Sequence, residues 1–187
     1  MRESSSDSDG ERMRRWAGGD RVAFEEIVRA WERPMGRFLT RLTGDAHAAA
    51  DLTQELFIRV YLNGASYREA GTFRTWLYRV ALNLARDAAR RKVRKPLVPW
   101  PDAHDPSGGV EADDGGERAA LVAAALADLP EAQREVVVLK HYEAMGFEAM
   151  ARLLRTPSTT LKSRFAVAMT KLESALTARG LKPEGST

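Results

Sequence analysis

Arg79, Asn83, Arg86 and Arg90 follow one another at steps of three and four residues, the spacing that puts side chains on one face of a helix. Aromatic residues are interleaved with them: Phe73, Trp76 and Tyr78, with Arg74 beside them, and Tyr67 and Arg68 just upstream. Aromatic rings offer π-faces to unstacked bases and cations offer charge to phosphates, so the combination suits single-stranded DNA. Phe73 and Trp76 also recur with Leu77 and Val80 at apolar helical spacing, so most of their surface is expected inside a core.

A second constellation lies nearer the C-terminus. Phe147, Met150, Ala151 and Leu154 form the inner stripe of a short amphipathic helix, Arg155-Thr156-Pro157 reads as a turn, and a longer helix begins at Ser158. Two helices across a tight turn have the form of a helix-turn-helix, whose second helix enters the major groove with its first residues at base edges. Thr160, Lys162, Ser163 and Arg164 are short hydroxyls and long cations, which reach bases and phosphates without clashing. A generic helical hairpin has the same shape. Upstream of both constellations, Asp51, Gln54, Glu55 and Ile58 share one side of a further helix, opposite Phe57 and Val60. An ordinary solvated acidic face fits that side equally well.

Helices must hold all three groups. Asp20 is placed as an N-cap for a run in which Phe24, Ile27, Val28, Trp31, Met35, Phe38, Leu39 and Leu42 recur at helical spacing. Pro34 lies inside that run and is expected to kink the helix or divide it in two. Asp45 caps the next helix, with Leu52, Leu56, Phe57, Val60 and Tyr61 as its apolar positions and Asn63-Gly64 at its end. Thr72 caps a third, with Phe73, Trp76, Leu77, Val80, Ala81 and Leu84 inward. Prolines, glycines and acids then accumulate from Pro96 to Gly116 and periodicity is lost, which marks a linker. Beyond it four runs are helical: Arg118 to Ala127, Glu131 to Tyr142, Phe147 to Leu154 and Ser158 to Leu176. No strand-like alternation of useful length occurs. The expected fold class is all-α, with two small helical domains joined by a flexible linker. The domains are placed at residues 13–95 and 117–178, the acidic linker at 96–116, a disordered tail at 1–12 and a second tail at 179–187.

Composition narrows the chemistry. The chain of 187 residues carries a formal charge of +3 and no cysteine. Disulfides, thiolate metal sites and Cys nucleophiles are thereby removed, and a reducing cytoplasm is the expected location. The histidines, His47, His104 and His141, are scattered, and there is neither a Gly-rich phosphate loop nor a nucleophile–base pattern. No metal, cofactor or enzymatic activity is expected. No apolar stretch reaches the ~18 residues of a membrane helix, and the Ser/Asp/Arg-rich start lacks the apolar core of a signal peptide. Cations crowd the segment from Arg86 to Lys95. Asp102, Asp105, Glu111, Asp113, Asp114 and Glu117 then follow with no Lys or Arg among them. That asymmetry fits nucleic acid at the first segment and a basic partner, or plain solvation, at the second.

The combination resembles a known family. Asp51-Leu-Thr-Gln-Glu-Leu-Phe-Ile-Arg-Val-Tyr61 is similar to the polymerase-binding segment of bacterial sigma factors, and Phe73-Arg-Thr-Trp-Leu-Tyr-Arg-Val-Ala-Leu-Asn83 to their promoter-melting segment. Leu129-Pro130 with Arg134, and Thr160-Leu-Lys-Ser-Arg164, resemble their C-terminal helix-turn-helix domain. The small size and two-domain layout resemble the extracytoplasmic-function (ECF) group of the sigma-70 family. The resemblance implies a region 2 helical bundle followed by a region 4 helix-turn-helix, with core RNA polymerase, promoter DNA and an anti-sigma factor as partners. It implies that Asp51, Gln54 and Glu55 contact the clamp helices of the polymerase's largest subunit. Tyr67, Arg68 and Asn83 would hold a flipped-out base of the −10 element, with Arg74 and Arg79 near its backbone. Arg134, Thr160, Lys162, Ser163 and Arg164 would engage the −35 duplex. The chain departs from the family pattern at Arg155 and Thr159, where glycine is usual, and at Val167 and Met169, where cations are usual, so a weaker −35 contact is expected.

A conventional helix-turn-helix regulator that binds duplex operators without polymerase is the alternative. It uses Lys162 and Arg164 but gives no task to the aromatic-basic helix or to the Asp51, Gln54 and Glu55 face.

Overall fold

A computed structural model of the chain describes residues 4–63, 72–94 and 116–181. Those residues are helical, with no strand among them. The chain divides into two compact units. One is Met1–Leu39 with His47–His104; the other is Thr40–Ala46 with Asp105–Thr187.

The first unit is built from α1 (Ser4–Ala17), most of α2 (Arg21–Thr43), α3 (Ala46–Asn63) and α4 (Phe73–Arg94). Its core joins Ile27, Met35, Phe38, Leu56, Phe73, Leu77, Tyr78 and Leu84, all essentially without solvent contact. Trp31 packs edge-on against Phe73 and Tyr78, and Tyr78 edge-on against Phe38 at 4.8 Å, the geometry that ring quadrupoles favour. The expected caps form at two helix starts. Asp20 Oδ1 accepts from the main-chain N–H groups of Val22 and Ala23, and Thr72 Oγ1 accepts from that of Thr75.

Two expectations need correction here. Residues 1–12 are not a disordered tail: α1 begins at Ser4 and packs on α4. The reason is a polar anchor. Asp9 is buried and accepts from Trp31 Nε1 at 3.0 Å and from Arg12 Nη1 at 2.7 Å, while Met13 one turn on is fully buried. Pro34 does not divide α2, which runs unbroken from Arg21 to Thr43. A proline there deprives the Ala30 carbonyl of its helical donor. Ala30 is exposed, so water can take the missing donor's place.

The second unit holds α5 (Gly116–Ala127), α6 (Glu131–Val137), a π-helical turn (Val138–Tyr142), α7 (Phe147–Leu154) and α8 (Ser158–Ala178). Ala125, Leu126, Leu129, Val137, Ala168 and Leu172 form its core, so α8 is the spine against which α5, α6 and α7 pack. Arg179 at the end of α8 pairs with Asp128 at 2.5 Å, tying that end to the turn after α5. The sequence pattern places one helix over Glu131 to Tyr142. The structure keeps it continuous but widens its last turn, where the Glu143 N–H reaches back to the Val138 carbonyl.

Candidate polymerase and nucleic-acid interfaces

Helix α3 has two distinct faces. Leu52, Thr53, Leu56, Phe57 and Val60 are buried. Asp51 and Gln54 are exposed on the other side and Glu55 is half-buried there. The same side continues with Ile58 at 58% and Leu62 at 71% exposure, values unusual for large apolar residues on a small unit. Acids followed by aliphatics thus form one stripe, Asp51, Glu55, Ile58 and Leu62, at steps of four, three and four. Sequence reasoning placed the first three positions and did not extend the stripe to Leu62. The signal was available in the same spacing.

Helix α4 turns its aromatic residues mostly inward. Phe73 and Tyr78 are buried and Trp76 is half-buried against Phe73. The Arg74 guanidinium lies over the Tyr78 ring at 5.5 Å, so that cation is partly engaged by the core's own aromatic face. Arg79 and Arg86 are half-buried, Asn83 and Arg90 exposed, and Arg90 pairs with Asp87. That pairing holds the Asp87 carboxyl below the usual carboxylate range, chiefly through the Arg90 hydrogen bond.

The two helices enclose a solvent-open cavity of about 300 Å³ lined by Arg59, Asn63, Trp76, Val80 and Asn83. Of the residues assigned to the −10 element, the structure brings Asn83 to this cavity. Tyr67 and Arg68 lie outside the described residues. Arg59, Asn63 and Val80 were not singled out from the sequence. Arg59 and Asn63 continue the helical step from Glu55, and Asn63 Nδ2 donates to the Arg59 carbonyl at 2.9 Å. The cavity therefore presents one cation, two amides, an indole face and an aliphatic wall, a set able to hold a planar polar ring.

In the second unit α7, the turn and α8 form the helix-turn-helix. Arg155 takes the left-handed conformation, φ 52° and ψ 44°, and its N–H closes α7 on the Ala151 carbonyl. This is the position where the family resemblance expects glycine, and the backbone conformation is the one glycine adopts without cost. On α8, Thr160, Lys162 and Ser163 are exposed, whereas Arg164 is half-buried on the side of Leu161 and Ala168. Arg134 stands apart from this set. It lies on α6, and its Nη2 donates to the carbonyls of Ala127 and Leu129 at 2.7 and 3.0 Å. Burial lowers its pKa from the ordinary arginine value, against the opposing pull of Glu131 and Asp128.

Residues 27–95 match the family model described as Sigma-70 region 2, and residues 119–172 match Sigma-70, region 4. The ECF RNA polymerase sigma factor SigW of Bacillus subtilis is 31% identical over 167 residues, covering 82% of this chain and 88% of SigW. The chain belongs to the ECF sigma factors. ECF sigma factor SigM of Mycobacterium tuberculosis is likewise 31% identical over 166 residues, which cover 88% of this sigma factor and 83% of SigM. Among solved structures, CnrH in complex with the cytosolic domain of CnrY superposes with a TM-score of 0.67 at 22% identity, over 91% of this chain and 98% of CnrH. RpoE of Bartonella quintana, solved with the anti-sigma factor NepR, gives 0.66 at 20% identity over 82% and 96% of the respective chains. These likenesses concern the fold, and they agree with the all-α reading. The sigma factor assignment also decides against the stand-alone operator-binding regulator. Among the described residues, no helix is long and apolar enough to cross a membrane, and no cluster of His, Cys, Asp or Glu is placed to hold a metal ion.

Proposed function

We propose that this ECF sigma factor divides promoter recognition among three surfaces. The exposed face of α3, with Asp51, Gln54 and Glu55, docks on core RNA polymerase. The cavity between α3 and α4 takes an unstacked base of the −10 element, held by Asn83 together with Tyr67 and Arg68, while Arg74 and Arg79 lie near its backbone. Helix α8, through Thr160, Lys162, Ser163 and Arg164, engages the −35 duplex. Arg134 enters this reading as the residue that fixes the turn between α5 and α6 behind the helix-turn-helix. The protein catalyses no reaction; nucleotide addition belongs to the polymerase. A cytoplasmic location follows from that partnership. An anti-sigma factor is proposed as a further partner, as RpoE has in NepR.

The observation that carries this reading is the cavity itself, where an indole face, two amides and a guanidinium converge at the end of a basic helix. In vitro transcription with core polymerase on genomic templates, with start sites mapped, tests it. Specific starts are expected only when the chain and core enzyme are both present. Tight, sequence-specific duplex binding by the chain alone would contradict the proposal.

A further inference from the structure

The outer face of α8 has an unusual chemistry for a helix proposed to read duplex DNA. Thr159, Thr160, Ser163, Ala166, Val167 and Thr170 are exposed along it, above the buried Leu161, Ala168 and Leu172. Val167 is 46% exposed. The Thr170 hydroxyl is turned back to the Ala166 carbonyl at 3.3 Å, so it is engaged by the helix itself. None of these six side chains carries a guanidinium, an ammonium or an amide. Exposed cations flank the face instead: Lys162 at one edge, Lys171 at the other, and Arg155 in the turn before it.

In the major groove, guanine is read by bidentate Arg or Lys and adenine by bidentate Asn or Gln. The central face of α8 has none of these groups. Its hydroxyls accept several base edges, and its methyl groups match one feature only, the C5-methyl of thymine. The flanking cations suit phosphates, which position a helix without reading sequence. We infer that α8 reads thymine methyl groups in the −35 duplex, with Ala166 and Val167 making the contact and Lys162 and Lys171 holding the flanking phosphates. The inference rests on the reading of α8 as the −35 helix and names what that helix recognises.

The test uses holoenzyme assembled from the full chain and core RNA polymerase. Duplexes are selected from a pool randomised across the −35 region. T·A pairs are expected at adjacent selected positions. Replacing thymine by deoxyuridine there, which removes only the methyl, should weaken binding about fourfold per methyl lost, the value of burying one such group. Val167→Ala should shrink the thymine-over-uracil preference at one position and leave binding to the deoxyuridine duplex unchanged. Val167 is exposed, so this variant keeps the core intact. Equal binding of thymine and deoxyuridine duplexes, or selection of invariant G·C pairs, overturns the inference. A control separates the two levels. If removing the −35 duplex altogether leaves holoenzyme binding unchanged, the assignment of α8 to the −35 element falls, and the methyl readout with it. If removal weakens binding but deoxyuridine does not, only the methyl readout falls.

Discussion

The guanidinium of Arg59 meets the carboxylate of Glu55 at 2.5 Å, one turn apart on α3. Glu55 belongs to the face proposed for polymerase, and Arg59 lines the cavity proposed for an unstacked base. A part-exposed pair at this spacing is worth only ~0.3–0.5 kcal/mol of stability. Its effect is positional, because the carboxylate that faces one partner also aims the cation that faces the other.

That coupling separates two neighbouring substitutions. Glu55→Arg replaces attraction by repulsion at an interface, a change that costs several kcal/mol, on the order of known like-charge penalties. It also releases Arg59. Gln54→Ala removes a contact and leaves the ion pair alone. Both variants are expected to lower core-enzyme affinity in a pull-down, and Glu55→Arg alone should also slow promoter melting once saturating core enzyme restores complex formation. Wild-type retention of core enzyme by Glu55→Arg would show that α3 docks elsewhere.

Asn83→Ala should impair open-complex formation more than closed-complex binding, because the amide lines the cavity and makes no core contact. Tyr67→Ala is expected to behave in the same way, with a loss of ~1–3 kcal/mol for one base–aromatic stack. Permanganate footprinting reads both. Unchanged thymine reactivity would count against the cavity as a base site.

Salt dependence tests the α8 face from another side. Val167→Arg adds a cation at an exposed position. If it meets the phosphate backbone, the log–log salt slope of holoenzyme binding to −35 duplex should steepen by about 0.9. An unchanged slope would show that residue 167 does not face the backbone.

Arg155 predicts a stability effect independent of DNA. A non-glycine residue in the left-handed region carries a cost of ~1–2 kcal/mol, part of which glycine returns as greater freedom of the unfolded chain. Arg155→Gly is therefore expected to stabilise the protein by about 0.5–1 kcal/mol, and Arg155→Val to destabilise it. Denaturant midpoints of the variants measure this, and a lower midpoint for glycine would refute it.

Acid should loosen the start of α2. Hydrogen bonding from Arg15 holds the Asp20 carboxyl below its ordinary value of 3.8. A carboxyl whose folded pKa is depressed stabilises the fold above its unfolded pKa, and that contribution fades as pH falls through the lower folded value. Asp20→Asn keeps a capping oxygen but loses the charge, so its unfolding midpoint should depend less on pH below ~4 than that of wild type. Parallel acid profiles for the two proteins would contradict this.

Much of the fold was legible because its signals are local. Asp20 and Thr72 stand where capping requires them, and the stripe from Phe73 to Leu84 repeats at helical spacing. The sigma factor motifs added the family, because several of them occur in the right order along the chain. What escaped depends on distance in sequence. Helix α1 reads as a polar tail until Asp9 is seen beside Trp31, 22 residues on. The cavity needs Asn63 and Asn83 from two helices, and nothing near either residue announces the other. Arg134 was assigned to DNA by motif alone. Its hydrogen bonds to Ala127 and Leu129 require knowing how α5 ends.

The wide turn at Val138–Tyr142 bears on how this gene can change length. A π-helical turn is an α-helix carrying one residue more than its ladder needs. Deleting that residue would close the ladder but rotate everything beyond it by about 100°, the angle between successive residues of an α-helix. Met145, buried and hydrogen-bonded to the Leu139 carbonyl just past the turn, would lose its place, and α7 would be offered to α8 on a different face. Codon loss here should therefore be selected against more strongly than a conservative substitution at the same positions.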